Sequence, residues 1–363
     1  MSNKRTLLGS MIGLLLVACS PGTSGTTGNA GGTDSSSSGD PDSSSASFVT
    51  SSSTSTGVSN CTDPECVGSD PQGGCDGSIA VDSADAMDGA RAMGLCKVSD
   101  GTSWGVVDAQ WVQSDGIPLS GLLLDGKGML SNFGPVAPRE GGQILVLSSG
   151  AARDPGDPGY QAPSGYQKDY DIFDPIGSAH GAPAGYPKES PACPGVITGD
   201  PYDSAGLSVR IKTPTDAKSL SFNVNFYTFE FPNYICDIYN DFFVAMMTPK
   251  PAALPDGNIS FDPDGNTISV NAGFLDVCTP QVAGGKNFAC GQGIGDLAGT
   301  GFEGAAATGW LETKAPIEAP GSEITLLFAI WDSGDAVLDS TVLIDNFKFE
   351  SDGTTTGTQP IPQ

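Results

Sequence analysis

The stretch SLSFNVNFYTFEF, residues 219–231, decides the fold of this chain. From Leu220 to Phe226 apolar and polar side chains alternate, which indicates a strand with one buried face. From Tyr227 onward the apolar positions change phase, which indicates either a bulge or a strand that is covered on both faces. Pro232 then ends the hydrogen-bonding ladder. The stretch therefore predicts a strand whose rings lie mostly in a hydrophobic core.

Further β-like segments flank this one, separated by turns rich in Gly, Pro, Asn and Asp. They span residues 103–113, 142–149, 206–213, 266–270, 308–315, 323–332 and 341–350. One segment, 80–96, has helical spacing instead, with Asp82 or Ser83 as its cap. Many strands without alternating helices predict an all-β fold, namely an antiparallel β-sandwich or jelly-roll-like domain with one short N-terminal helix.

The N-terminus has the features of a bacterial lipoprotein signal. Lys4 and Arg5 precede the apolar run 7–18, which is too short to span a bilayer. The sequence LVAC at 16–19 then matches a lipobox, in which Cys19 carries a diacylglycerol and further acyl chains such as palmitate. Several acyl chains make a stable anchor. The alternative is an ordinary secretory peptide that happens to contain a Cys.

The domain boundaries follow from composition. We predict a signal peptide at 1–18, a disordered Ser/Thr/Gly-rich tether at 19–60, a β-sandwich domain at 61–350 and a disordered tail at 351–363. The tether would hold the folded domain away from the lipid surface. Ser20 after the lipidated Cys resembles bacterial signals for outer-membrane sorting, so we expect a cell-envelope or cell-surface location.

The charge excludes some partners. With 16 basic and 42 acidic residues, the chain has a formal net charge of −26, which is unsuited to nucleic acids or anionic lipid headgroups. Such acidity fits solubility outside the cell, and it also fits hard cations such as Ca²⁺.

The cysteine count predicts disulfides. Of nine Cys, lipidation of Cys19 leaves eight, an even number in an exported chain. No pair has CxxC spacing, which disfavours zinc and redox sites. Nearest-neighbour spacing favours the pairs Cys61–Cys66, Cys75–Cys96, Cys193–Cys236 and Cys278–Cys290.

Acidic side chains suggest a Ca²⁺ site near the aromatic stretch and the turn 331–340. Ca²⁺ takes six to eight oxygen ligands. The candidate ligands are Glu230, Asp241, Asp332, Asp335, Asp339 and Asp345. The alternative is a solvated acidic turn, with one Asp bonded to backbone amides.

Asp345 is included because of its neighbours in the strand 341–350. Period 2 places it in one apolar row with Leu343, Phe347 and Phe349. A lone buried carboxylate is costly, so this one must be paired, protonated or metal-bound. The FDPDGN sequence at 261–266 is not included, because its glycine is misplaced for an EF-hand loop, and we predict a hairpin turn there.

Several sequence blocks resemble the choice-of-anchor L domain of bacterial surface proteins, in a form common among myxobacterial lipoproteins. In order they are AVDSADAMDGARAMGLCK, WGVVDAQWV, FGPVAPREGGQILVLSSGAAR, SLSFNVNFYTFEFPNYICDIYNDFF, GTGFEG and DSTVLIDNF. The resemblance covers most of residues 75–350. It implies a β-rich surface domain without an established enzymatic activity, and it supplies no catalytic residues.

These observations favour a lipid-anchored envelope protein whose non-catalytic domain serves binding or adhesion. Its partner would be the membrane through Cys19, together with an extracellular polysaccharide or a surface protein. A glycan would stack on exposed rings such as Trp104, Trp111 or Trp310.

Two other functions stay open from the sequence. A carbohydrate-active hydrolase on the same sandwich needs only two carboxyls, which Glu230, Asp241 and Glu303 would supply. A passive structural envelope lipoprotein needs no site. One His, His180, excludes centres built on several His ligands. The sequence GTSWG at 101–105 has GxSxG spacing, but it leads into a predicted strand and does not link a strand to a helix, so no nucleophile elbow is predicted.

Overall fold

The computed structural model describes residues 75–168 and 180–362. The predicted signal peptide, Cys19, the tether and the Cys61–Cys66 pair lie outside these residues. The described elements are helix α1 (Ala86–Ala92) and strands β1 (Gly105–Val112), β2 (Lys127–Leu130), β3 (Ile144–Ser148), β4 (Pro201–Lys212), β5 (Ser219–Thr228), β6 (Phe242–Thr248), β7 (Ile268–Ser269), β8 (Gln281–Ala283), β9 (Lys286–Phe288), β10 (Ala306–Ala307), β11 (Leu311–Pro316), β12 (Glu323–Ser333), β13 (Ser340–Glu350) and β14 (Gly357–Pro360). Short 3₁₀ turns lie at Gly121–Gly126 and Gly295–Leu297.

The strands form two large antiparallel sheets, which confirms the predicted all-β fold. The five-stranded sheet has the order β1-β4-β12-β6-β7, and the seven-stranded sheet has the order β14-β11-β5-β13-β3-β2, with β10 also paired to β5. Strands β8 and β9 form a separate hairpin. None of the helices in the described part of the chain has the length and apolarity that a membrane crossing requires.

The main core lies between the two large sheets. It joins apolar side chains of β1, β4, β6 and β12 to those of β3, β5, β11 and β13. Phe222 of β5 and Phe328 of β12 meet edge to face, with ring centroids 5.1 Å apart. This geometry is favourable for aromatic pairs, and both rings are fully buried. The sheets therefore pack as a sandwich through the residues that alternation assigned to the interior.

The phase change in the stretch 219–231 arises because β5 is covered on both faces. Every residue of β5 is buried. Phe222 and Phe226 face the main core, whereas Tyr227 belongs to a second apolar cluster on the outer face, where it meets Phe133 and Phe302. Of the two explanations that the sequence left open, the covered strand is confirmed.

The predicted apolar row of β13 is wrong because the strand contains a bulge. Pairing with β5 shifts between Asp345 and Lys348, and Asn346 adopts a left-handed φ of 56°. Leu343 consequently packs in the outer cluster, whereas Phe347 packs in the main core on the opposite face. One extra residue reverses the side-chain direction, so Asp345 does not share a row with Phe347.

Two boundary predictions also need correction. Helix α1 is capped by Asp85, whose side chain accepts from the N–H of Met87 over 2.9 Å, rather than by Asp82 or Ser83. The tail predicted to be disordered contains β14, which pairs with the edge strand β11. Thr358 of β14 is buried and lies 2.8 Å from the hydroxyl of Thr313. The unpaired edge of β11 explains why a polar tail becomes a strand there.

Disulfides confirm three of the four predicted pairs. Cys75–Cys96, Cys193–Cys236 and Cys278–Cys290 are bonded in the structure.

The hairpin turn predicted at 261–266 is also present, because Phe261 bridges to Thr267 and the N–H of Asp262 donates to the carbonyl of Asn266.

Candidate metal centre

Five acidic side chains gather at one end of the sandwich. This is the end where the turn after β12 crosses to β13, so that the chain passes from one sheet to the other. Asp332 lies near the end of β12 and Asp339 directly precedes β13. Glu230 and Asp241 lie near the two ends of the loop between β5 and β6. Asp203 lies near the beginning of strand β4. Antiparallel pairing brings these strand ends together.

These acids are withdrawn from solvent. Asp203, Asp241 and Asp332 have no exposed surface, and Glu230 and Asp339 are each 1% exposed. Carboxyl groups are almost never fully buried unless they are paired or bind a metal, because the charged form loses its hydration. A concentration of acids this deep in the fold therefore requires a physical explanation.

Burial and mutual repulsion keep protons on the cluster. Burial raises the pKa of Glu230 to about 9, and the negative charge of Asp332 acts in the same direction. Burial also raises the pKa of Asp241 well above its ordinary value, with Glu230 adding to the effect. The pKa of Asp332 is raised by burial and then by Asp241 and Asp339. Glu230, Asp241 and Asp332 thus perturb one another, as expected for carboxyls that share one site.

Positive charge at the cluster comes from Lys168. It lowers the pKa of Asp339, although burial outweighs it and leaves that pKa well above the ordinary value. The Lys168 ammonium also donates to the carbonyl of Ser148 over 3.0 Å, and its backbone N–H donates to Asp203 over 2.9 Å. One ammonium cannot balance five carboxylates, so the ionised cluster keeps an excess of negative charge.

Backbone and hydroxyl groups fix part of the cluster. Asp241 accepts from the N–H of Ser333 over 3.1 Å and from the hydroxyl of Ser149 over 3.4 Å. One oxygen of Asp332 accepts from the N–H of Ala336 over 3.2 Å. These bonds hold two carboxyls in place but use only part of the oxygen atoms that the cluster contains.

Several buried oxygens of the cluster have no hydrogen-bond partner. Four such atoms belong to its acids: Oε2 of Glu230, Oδ2 of Asp332 and both carboxylate oxygens of Asp339. Buried polar atoms without partners are rare in folded proteins and often mark an ion or a functional site.

Asp339 is packed against backbone. A Cβ atom at Gly150 would overlap its carboxylate, so any larger residue there would displace Asp339. Asp335, in the turn between β12 and β13, is more accessible: burial raises its pKa, and one of its oxygens accepts from the N–H of Val337 over 3.2 Å. It therefore lies at the periphery of the cluster.

Among the described residues, no three His, Cys, Asp or Glu side chains are already arranged in metal-coordination geometry. The carboxyl groups that repel each other would have to rotate to surround an ion. What the arrangement offers is a buried, oxygen-rich site whose carboxyls become negative when a bound cation displaces their protons.

Asp345 does not belong to the cluster, which corrects that part of the predicted ligand set. It lies five residues beyond Ser340 on β13, or about 17 Å at the usual strand rise. Its carboxylate accepts from the backbone N–H groups of Arg139, Glu140 and Asn346 at 2.6, 3.3 and 2.5 Å. Burial raises its pKa to about 6, although these bonds oppose the shift. The alternative of an Asp satisfied by amides is therefore the correct one.

The carboxyls proposed for hydrolysis are not arranged as an open catalytic pair. Glu230 and Asp241 are buried, so a polysaccharide chain does not reach them. Glu303 is exposed and accepts from the N–H of Gly299 over 2.6 Å.

The Trp rings expected to stack on a glycan are also inaccessible. Trp104, Trp111 and Trp310 are 4%, 7% and 8% exposed. Trp111 packs in the main core and Trp310 in the outer cluster. Stacking on these rings is therefore wrong as a binding mode for this domain.

Sequence reasoning missed Asp203 and Lys168. Asp203 reaches the cluster only because β4 pairs with β12, where Tyr202 is opposite Asp332. No feature of the sequence near Asp203 indicates that β4 pairs with β12. No protein family and no curated protein matches this chain in sequence.

Proposed function

We propose that this chain is a lipid-anchored protein of the cell envelope, with a non-catalytic β-sandwich that serves binding or adhesion and contains one Ca²⁺ at the acidic cluster. The observation that carries the calcium assignment is the set of buried acids with unpartnered oxygens, of which Glu230, Asp332 and Asp339 are the central members. A divalent cation would neutralise them and supply partners for those oxygens.

The chemistry of the ligands favours Ca²⁺ over other metals. The available donors are carboxylate, amide and hydroxyl oxygens, which suit hard cations. Zinc prefers nitrogen and sulfur, but the described Cys residues are in disulfides. Four unpartnered carboxylate oxygens would supply part of the six to eight oxygen ligands of Ca²⁺, whereas Mg²⁺ requires a strict octahedron and keeps several waters.

The ion would join parts of the chain that are distant in sequence. Glu230 and Asp241 flank one loop of the structure, Asp332 and Asp339 flank the turn between the sheets, and Asp203 belongs to the first long strand. Coordination would fasten both sheets at this end, and stabilisation would follow from binding to the folded chain alone.

The envelope location is supported by the lipobox at Cys19, the polar tether and the disulfides, which persist in oxidising compartments. The resemblance of several sequence blocks to choice-of-anchor L domains, a family of surface domains without an established enzymatic activity, is consistent with the same placement. Burial of Glu230 and Asp241 favours binding over hydrolysis.

Thermal unfolding of residues 61–363, the soluble domain without lipid anchor and tether, tests the proposal. It is measured in EDTA, in Ca²⁺ and in Mg²⁺. Sites of extracellular modules have Kd values of about 10⁻⁴ to 10⁻³ M. Calcium at 100 times Kd adds about 2.7 kcal/mol, which for a domain of this size raises Tm by roughly 5 °C or more. We expect this increase with Ca²⁺ and a smaller one with Mg²⁺.

Matched variants separate site binding from nonspecific ionic effects. Glu230→Gln removes a cluster carboxylate and should abolish most of the calcium response. Asp108→Asn removes an exposed acid on β1 and should leave the response unchanged. A melting temperature that is identical in EDTA and in Ca²⁺, or equal responses of the two variants, would show that the cluster is not a calcium site.

A further inference from the structure

A second feature of the domain is a cavity of about 490 Å³ beside the β8–β9 hairpin. One wall is formed by the segment 262–276, which surrounds β7, and the opposite wall by Lys286, Asn287 and Phe288 of β9. The volume falls within the range of small-ligand sites in proteins. None of the acids of the candidate calcium site lines it.

Two disulfides hold the walls of this cavity in place. Cys278–Cys290 closes the hairpin that carries Lys286 and Asn287. Cys193–Cys236 fixes the neighbouring loops, and the backbone N–H of Cys236 donates to the Asn271 side chain over 2.7 Å. A rigid frame lowers the entropy lost when a ligand binds, so the cavity is pre-organised.

One carboxylate of the wall is structural. Asp262 is buried and accepts from the N–H groups of Asp264, Asn266 and Gly273 at 3.0, 2.8 and 2.9 Å. The side-chain amide of Asn266 donates to both of its oxygens. Asp262 therefore shapes the segment and has little capacity left for a ligand.

Other polar groups of the lining remain accessible. The Asp264 and Asn287 side chains are exposed, and Asp276 is partly exposed. The ammonium of Lys286 lies 3.3 Å from the carbonyl of Asn271 and 3.6 Å from Sγ of Cys193. The lining thus presents carboxylate acceptors, an amide that both donates and accepts, and an ammonium donor.

Apolar surface lies between these polar groups. Phe274 and Phe288 line the cavity, but their rings are only 7% and 8% exposed and so present edges and no face for stacking. Phe288 is fixed edge to face against Phe231, with ring centroids 5.1 Å apart. Saccharides carry hydroxyls that donate and accept alongside apolar C–H faces. The polar groups of the lining can pair with saccharide hydroxyls, and the ring edges can contact saccharide C–H groups.

The charge of the lining selects among saccharides. Three aspartates, at 262, 264 and 276, face one lysine, at 286. If all four are ionised, this leaves two excess negative charges, which repel uronate and sulfate groups and tolerate uncharged or amino sugars.

We propose that this cavity binds an uncharged or amino-bearing saccharide of an extracellular polysaccharide. The inference rests on the proposed function as a binding domain and names the ligand class. It does not depend on the buried Trp residues.

Oligosaccharide binding to the Ca²⁺-loaded domain tests the inference, with cellotetraose and chitotetraose as uncharged probes, the chitosan tetramer as amino probe and tetragalacturonate as acidic probe. We expect binding of an uncharged or amino tetramer and none of tetragalacturonate. Asn287→Ala should weaken binding about tenfold, the loss of roughly one hydrogen bond. The matched variant Gln110→Ala, on β1 at the opposite edge of the five-stranded sheet from β7, should bind like the native domain.

The melting temperature is measured on the same samples. If Ca²⁺ still raises it but no uncharged or amino tetramer binds at millimolar concentration, the cavity assignment is overturned and the calcium site stands. Equal binding by Asn287→Ala and Gln110→Ala, or preference for tetragalacturonate, overturns it as well. If the native domain binds a tetramer, Asn287→Ala does not, and Ca²⁺ leaves the melting temperature unchanged, the cavity assignment is supported. The same result contradicts the calcium site.

Discussion

Raising the pH in the absence of Ca²⁺ should destabilise this domain. Burial and neighbouring acids raise the pKa of Glu230 to about 9 from the ordinary 4.5. Between these two values the folded chain holds a proton that the unfolded chain has released. The free energy of unfolding therefore falls as the pH rises through this window, because deprotonation favours the unfolded state.

The size of the effect follows from the shift. One group in this state changes the free energy of unfolding by about 1.4 kcal/mol per pH unit. From pH 5 to pH 8, Glu230 alone would remove roughly 4 kcal/mol by this relation. Asp241, Asp332 and Asp339 act in the same direction, since their pKa values are also raised by burial. A domain with a typical stability of about 5–15 kcal/mol would lose a large share of it.

Calcium should reverse this dependence. It binds the ionised carboxylates, so its affinity rises as they lose protons. Urea unfolding at pH 5, 6, 7 and 8, in EDTA and in 10 mM Ca²⁺, measures both effects by circular dichroism. We expect the two free energies to be similar at pH 5 and to diverge steadily up to pH 8.

Glu230→Gln is the control for this experiment, because the amide cannot titrate. Its slope in EDTA should be shallower by about 1.4 kcal/mol per pH unit. A free energy of unfolding that is constant or rises between pH 5 and pH 8 in EDTA would refute the reasoning, as would the same slope in the native and Glu230→Gln proteins.

Three further predictions concern other parts of the molecule. Asp345→Asn weakens the acceptor for three backbone N–H groups and should cost about 1–3 kcal/mol; the loss should be the same in EDTA and in Ca²⁺, and a lost calcium response would contradict its exclusion from the cluster. Phe222→Ala empties the centre of the core and should cost about 3–5 kcal/mol by urea unfolding, whereas a loss below 1 kcal/mol would mean that the ring does not join the two sheets. Cys19→Ser should abolish acylation and move the intact chain from the membrane fraction to the soluble fraction; an unchanged membrane fraction would contradict the lipid anchor.

Alternation and turn residues predicted most of the sandwich. The stretch 219–231 predicted β5 because apolar side chains at every second position can only be buried by a packed sheet. Spacing also predicted three disulfides correctly, since pairs such as Cys278–Cys290 are separated by 12 positions and need only a local hairpin. The alternation of β5 and the Cys278–Cys290 hairpin depend on residues that are close in sequence, whereas Cys193–Cys236 joins positions 43 residues apart.

The errors arise where a distant partner decides the structure. The bulge at Asn346 depends on how β13 pairs with β5, so period 2 misplaced Phe347. The tail forms strand β14 because it pairs with the free edge of β11. Nothing in the sequence of the tail indicates that partner. For the same reason Asp203 was missed, because only the pairing of β4 with β12 brings it to the cluster.

Equilibrium dialysis of the soluble domain against ⁴⁵Ca²⁺ tests the central claim most directly. The account predicts about one ion per chain, retained in Asp108→Asn and Asp345→Asn and lost when Glu230→Gln is combined with Asp332→Asn. A native domain that retains no ion at millimolar Ca²⁺, or a double variant that retains as much as the native domain, would contradict it.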